Sequence, residues 1–316
     1  MASGNVTLLE AAKGGSNPIK SGVIEVIIQE SPIVEMQNWM NFQGNALKHS
    51  VEGVLPAPAY RDVNEGYTRT WGSDVDHFWG VSIMGNEAFV DNYLVDVVGD
   101  LVSQKAKQAA KISKGMALQY DRTWLDGQAL NKDFKGVRAL IAEGFGQALK
   151  VGATASGDTL TLDVLDQATD LLRTDMADAF LMNRTMRRKI TNIGRIGVTG
   201  NSLIDVGSDV FGRKVVQYNG MPIRVLGNDH LDVPLLPFTE SANGDFLNTN
   251  SCTSIYCVRF GEDFVTGLLG KGGAMDVKDF GETQAAPGHL LRAEWYPGVA
   301  VFSPFSIVRL HGITNS

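Results

Sequence analysis

Asn45-Ala46-Leu47-Lys48-His49-Ser50-Val51-Glu52-Gly53 lies inside an excursion that runs from Phe42 to Gly85. Leu47, His49 and Val51 alternate with Lys48, Ser50 and Glu52, which is the two-residue period of a strand. Leu55-Pro56-Ala57-Pro58 breaks that strand, and Tyr60-Arg61-Asp62-Val63-Asn64-Glu65-Gly66 reads as a polar tip. A return strand, or pair of strands, is expected from Tyr67 to Met84. A second pattern follows at once. From Glu87 to Asp126 apolar residues such as Val90, Tyr93, Leu94, Val97, Leu101, Ala109, Met116, Tyr120 and Trp124 keep a three-or-four spacing, with Asn86 as N-cap. The spacing predicts one amphipathic helix of roughly 40 residues, about 60 Å long. Gly99 and Gly115 each weaken it by about 1 kcal/mol relative to alanine, which predicts a bend near Gly115. A compact globule of this length has a radius of gyration of only about 20 Å, so neither the arm nor the helix fits comfortably inside one. Such a chain is built to lie against copies of itself.

Outward from this stretch the signals are local. Asn17-Pro18 opens a helical segment, Ile19 to Glu30, and Ser31-Pro32 ends it. Downstream, Phe134-Lys135-Gly136-Val137 leads into new structure. Thr159 to Arg173 is an amphipathic helix capped by Asp158 or Thr159, and Ala179-Phe180-Leu181-Met182 is a short buried strand. Asn183 caps a basic helix, Arg184 to Ile193. Val215 to Val225 is a hairpin turning at Asn219-Gly220. Strands follow at Ser254–Phe260, Val265–Leu269, His289–Trp295 and Val299–Leu310. Helix, strand and hairpin mix without regular βαβ alternation, so the expected class is α+β.

Composition narrows the function. The 316 residues are 44% hydrophobic, enough for a large core. No run of eighteen apolar residues exists, so no membrane span is expected, and Met1-Ala-Ser-Gly-Asn does not begin a signal peptide. The net charge of −7 argues against a phosphate-clamping DNA-binding protein. Cys252 and Cys257 suggest neither a disulfide framework nor a zinc site. Gly270-Lys271-Gly272-Gly273 lacks the spacing and the Lys-Ser/Thr ending of a phosphate loop. Asp74-Val75-Asp76-His77 and Asp229-His230-Leu231-Asp232 are the best metal candidates, but each lacks a second ligand cluster. No catalytic, cofactor-binding or metal residue is therefore assigned, and no enzymatic activity is expected.

Read in order, these pieces resemble the major capsid protein of tailed double-stranded DNA bacteriophages, with the Hong Kong 97-type fold. Ile19 to Val34 is similar to that family's N-arm. The stretch from Gln43-Gly44-Asn45-Ala46-Leu47 through Val63-Asn64-Glu65-Gly66-Tyr67 resembles its extended loop, and Glu87–Asp126 its spine helix. Leu291-Arg292-Ala293-Glu294-Trp295-Tyr296-Pro297-Gly298-Val299 resembles its closing strands. The resemblance implies an N-terminal arm over 1–41 and an extended β-hairpin loop over 42–85. It implies a peripheral domain with the spine helix over 86–133 and 271–300, and a mixed α/β axial domain over 134–270 and 301–316.

The implied role is structural. Subunits self-assemble into pentamers and hexamers that enclose packaged double-stranded DNA without reading its sequence, in a virion capsid assembled in the host cytoplasm. A portal is implied as a partner. Because the N-arm begins almost at Met1, the resemblance implies a separate scaffolding protein, or a removed segment that this sequence no longer shows. An encapsulin-type nanocompartment enclosing cargo enzymes shares the fold and is the alternative.

Some members of that family join a lysine of the extended loop to an asparagine of another subunit. Between Pro56 and Gly85 this chain has no lysine, and Lys48 is the one candidate, well short of the tip. Arg61 and Arg69 stay protonated and are poor nucleophiles. Together with Glu52, Asp62 and Glu65 they are expected to form ion pairs between subunits, as are Arg187 and Arg188 of the basic helix.

Overall fold

A computed structural model of the chain describes residues 31–98, 101–130, 132–172, 177–196, 204–208, 214–229, 231–245, 251–270, 275–284 and 286–315. The N-terminal helix expected over Ile19–Glu30 lies outside them, as do residues 271–274. At Ser31-Pro32 a helix starts. The Ser31 hydroxyl accepts the Val34 N–H at 3.1 Å, and Pro32 opens α1 (Pro32–Met36), where its missing N–H has no helical partner to lose.

Strand β1 (Asn38–Asn41) follows and pairs in parallel with β11 (Val265–Leu269), which pairs antiparallel with β14 (Pro297–Val301). The excursion is a hairpin, β2 (Ala46–Val54) against β3 (Ser73–Gly80). The next element corrects the sequence reading. Glu87 does not open a helix: β4 (Met84–Asp91) is a strand, antiparallel to β13 (Gly288–Trp295), which also pairs with β12 (Asp276–Glu282). Ala88 and Val90 face inward while Glu87 and Phe89 face out, a two-residue period overlaid on residues that also suit a helix. Helix therefore begins at Asn92, as α2 (Asn92–Val98) and α3 (Leu101–Asp126). The helical assignment of α3 runs through Gly115 without interruption.

The buried face of α3 presents Ala109, Ile112, Met116, Ala117, Tyr120, Trp124 and Leu125 to the first of two hydrophobic cores. Tyr120 lies 5.0 Å from Trp295 on β13 and 5.6 Å from Trp39 on β1, measured between ring centres. This aromatic knot ties helix, sheet and the β1 segment together.

The second core belongs to a seven-stranded sheet. Its members are β5 (Gln147–Lys150), β15 (Ile307–Thr314), β10 (Cys252–Val258), β6 (Ala179–Met182), β9 (Met221–Val225), β8 (Lys214–Tyr218) and β7 (Ile204–Ser208), in that spatial order. Helices α4 (Val137–Ala142), α5 (Leu162–Asp170) and α6 (Arg184–Ile196) complete the described fold. Thr161 occupies the cap position of α5, in place of Asp158 or Thr159. The Asn183 carboxamide caps α6 by accepting the Met186 N–H at 2.8 Å. Asn219 and Gly220 take φ of 48° and 79°, the left-handed pair that a tight hairpin turn between β8 and β9 requires. The expected strand Val299–Leu310 is two strands, β14 and β15, separated by a turn at Pro304-Phe305. The mixture of helix with mostly antiparallel sheet is α+β, as expected.

Candidate subunit interface

Among the described residues the β2–β3 hairpin is anchored at its root. Trp79 is buried, with its ring 4.9 Å from Phe145. His77 meets Phe145 edge-on at 4.6 Å, and His49 meets Phe302 at 4.7 Å. Leu47, His49 and Val51 share this inward face with Val75, His77 and Trp79, as strand alternation dictates. Beneath it lies a cleft of about 690 Å³ lined by His77, Trp79, Phe134, Lys135, Glu143 and Phe145.

Beyond Glu52 and Asp74 the hairpin leaves the body. Val54, Leu55, Tyr60, Val63, Tyr67 and Trp71 are all exposed, Val63 at 85% and Trp71 at 82%. Apolar side chains this exposed, on a two-stranded hairpin that is marginal alone in water, mark a surface made to be covered.

The candidate contact residues fall in three places. Lys48 and Glu52 share the outward face of β2. Lys48 Nζ lies 2.8 Å from Asp76 Oδ2, and Ser50 donates to the same carboxylate at 2.5 Å. These hydrogen bonds, Lys48 first, hold Asp76 below the usual carboxylate range. Glu52 sits directly opposite Asp74, two like charges on one rung.

Arg61, Asp62 and Glu65 form the tip and bind one another. Arg61 Nη1 donates to the Glu65 carbonyl at 3.2 Å, and the Asp62 N–H donates to the Glu65 carboxylate at 3.1 Å. The Arg61 guanidinium also lies 4.9 Å from the Tyr67 ring centre. Arg69 is exposed on the returning segment. Arg187 and Arg188 are exposed on α6, against the second core, and make no ion pair with the hairpin among the described residues. Asp76 was not anticipated as the partner of Lys48; only the cross-strand register brings residues 48 and 76 together.

Neither metal candidate gathers ligands. Asp74, Asp76 and His77 lie along one strand, so His77 points to the opposite face from the two carboxylates. Burial alone raises the Asp229 carboxyl, but the Val233 and Leu231 N–H groups and Arg122, 2.5 Å away, outweigh it and hold it below its ordinary range. His230 lies outside the described residues. Among the described residues no three His, Cys, Asp or Glu side chains form a metal site.

Two buried polar arrangements carried no sequence signal. Ser31 donates its hydroxyl proton to the Asp121 carboxyl of α3, locking α1 onto the long helix. Glu240, wholly buried, bridges Arg138 at 2.9 Å and Arg309 at 3.0 Å. Arg138 also reaches Asp126 at 2.7 Å, so the network joins the end of α3 to the large sheet.

No known protein family and no curated protein matches this sequence. Solved structures do match its shape. The SrpI encapsulin of Synechococcus elongatus PCC 7942 superposes with a TM-score of 0.63 at 15% identity, over 90% of this chain and 88% of that one. The capsid of a native GTA particle gives 0.58 at 12% identity, over 99% and 95%. Microbacterium phage Oxtober96 gives 0.57 at 13% identity, over 89% and 90%. The chain therefore has the Hong Kong 97-type shell fold, shared by phage capsid subunits and an encapsulin.

Proposed function

We propose that this chain is the structural subunit of an icosahedral shell, a phage-type major capsid protein that closes into pentamers and hexamers around packaged double-stranded DNA. One observation carries the reading: among the described residues the β2–β3 hairpin holds to its own subunit at its root, through Leu47, His49, His77 and Trp79, and the apolar side chains beyond Glu52 are exposed. A neighbouring copy under the hairpin supplies that core. Head-to-tail contacts of this kind are heterologous and close into rings.

In this reading residues 42–85 are the tether. Residues 86–133 with 271–300 are the peripheral domain and 134–270 with 301–316 the axial domain, and the first hydrophobic core runs across both, since Val137, Leu140, Val258 and Leu268 pack in it. Glu52, Arg61, Asp62, Glu65, Arg69, Arg187 and Arg188 pair across subunit boundaries, each weak when exposed but repeated around the shell. The role is structural rather than catalytic, and a scaffolding protein and portal complete the set of partners.

An encapsulin-type compartment is the second reading, favoured by the SrpI match. Electron microscopy of the purified protein tests the shell: closed particles support it, and a subunit of tens of kilodaltons at every concentration refutes it. Particles from the native source then separate the two readings. Nuclease-protected double-stranded DNA inside them supports the phage capsid, and enclosed enzyme without DNA the compartment.

A further inference from the structure

The chain is acidic overall, yet its longest helix is not. Leu101 to Tyr120 holds Lys105, Lys107, Lys111 and Lys114 and no aspartate or glutamate. Lys105 is turned inward and bound to Asp279 at 2.6 Å. Lys107, Lys111 and Lys114 are exposed and, at steps of four and three residues, lie on one helix face. Lys107 and Lys111 make no ion pair among the described residues. Successive ammonium groups at this spacing repel, and no acid three or four residues away offsets them. Beside them the exposed positions are small, Gln108 being half-buried and Ile112 buried. Ala106 and Ala110 are exposed, and a side chain added at Gly115 would meet nothing within 4 Å.

We propose that this face of α3 is a contact surface for the phosphate backbone of double-stranded DNA, a proposal that rests on the phage-capsid reading and names the wall the genome lies against. A lysine is a point charge on a flexible stem, suited to phosphate and unable to grip a base edge in a fixed fork. Lys107 to Lys111 spans about 6 Å along the axis, close enough for neighbouring phosphates of one duplex. The alanine floor lets a rigid rod approach without a side chain in the way. A second copy of the chain fits this face less well. Protein interfaces are depleted of lysine and built around apolar anchors, and Ala106 to Lys114 exposes none.

The test uses purified full-length subunits, held below the concentration at which they assemble, and a fluorescent 30-base-pair duplex read by anisotropy from 50 to 200 mM salt. The wild-type chain binds, and K107Q/K111Q weakens binding about tenfold at low salt. The variant also flattens the plot of log affinity against log salt by about 1–2, the value for one or two lost phosphate contacts. K107R/K111R keeps both affinity and slope. No binding by the wild type, or an unchanged slope in K107Q/K111Q, overturns the proposal. Loss of particles in K107Q/K111Q also overturns it, by assigning the face to a second copy. Lysine-dependent binding by a chain that never forms particles leaves this face standing and refutes the shell instead.

Discussion

Lys48 Nζ lies 2.8 Å from the Asp76 carboxylate, across the two strands of the hairpin and on the face turned away from the body. The one lysine within reach of the loop is therefore already held by a carboxylate of its own subunit, on the same strand pair and far from the tip. An amine that joins another subunit covalently must be brought against its acceptor in a dry site, and a half-exposed lysine already paired with a carboxylate of its own hairpin is not in one.

Shells of this protein are accordingly expected to be held without covalent links. Mature particles boiled in detergent and run on a denaturing gel should give one band near 34.2 kDa. A ladder of pentamer and hexamer bands that survives boiling and reductant would contradict this and point back to Lys48.

Removing Val54–Tyr67 takes away the exposed tip and spares the rooted strand segments on either side. The expected product is a soluble, folded subunit that forms no closed shells, checked by circular dichroism and electron microscopy. Normal particles from this deletion would show that the tip is not a tether.

Asp121 is wholly buried, and burial pushes its carboxyl up to about 8 despite the opposing Ser31 hydrogen bond. A carboxyl raised above its unfolded value stabilises the fold in the protonated form. That contribution is complete below about pH 4 and is lost as the pH rises through the folded value. Melting temperature should therefore fall between pH 5 and pH 8.5, and D121N should reduce that slope. D121A, which leaves the Ser31 hydroxyl without its acceptor, should cost about 1–3 kcal/mol at pH 6. Wild-type and D121N melts with the same pH dependence would remove the claim.

Glu240 accepts from two buried guanidinium groups, and Ser254 also donates to it. Its removal leaves Arg138 with Asp126 alone and takes from Arg309 the carboxylate that balances its charge. E240A should destabilise the chain by about 3–5 kcal/mol in urea unfolding. A loss below 1 kcal/mol would mean that water reaches the network.

Gly115 sits in an unbroken helix with open space where a β-carbon would stand. G115A should therefore stabilise the subunit by about 1 kcal/mol and raise its melting temperature. An altered particle size would show that the glycine serves curvature after all, as the sequence pattern suggested.

What the sequence determined by itself is what neighbours in the chain decide. The alternation from Leu47 to Glu52 is a strand, Asn219-Gly220 is a hairpin turn, and Asn183 is a cap, because each outcome depends on a few adjacent side chains and the backbone conformations they allow. The lysine-free loop tip is likewise visible in the residues alone. The tertiary structure decided whatever depends on a distant partner. Glu87 to Asp91 suits a helix locally and becomes β4 because β13, some two hundred residues later, offers a ladder of hydrogen bonds and a buried face for Ala88 and Val90. Ser31-Pro32 begins a helix because Asp121 fixes the Ser31 hydroxyl, and Asp76 meets Lys48 because the cross-strand register sets them side by side. Net charge hid the lysines of α3 for the same reason: composition sums over the whole chain, whereas folding turns Lys105 inward onto Asp279 and sets Lys107 and Lys111 outward on one helix face.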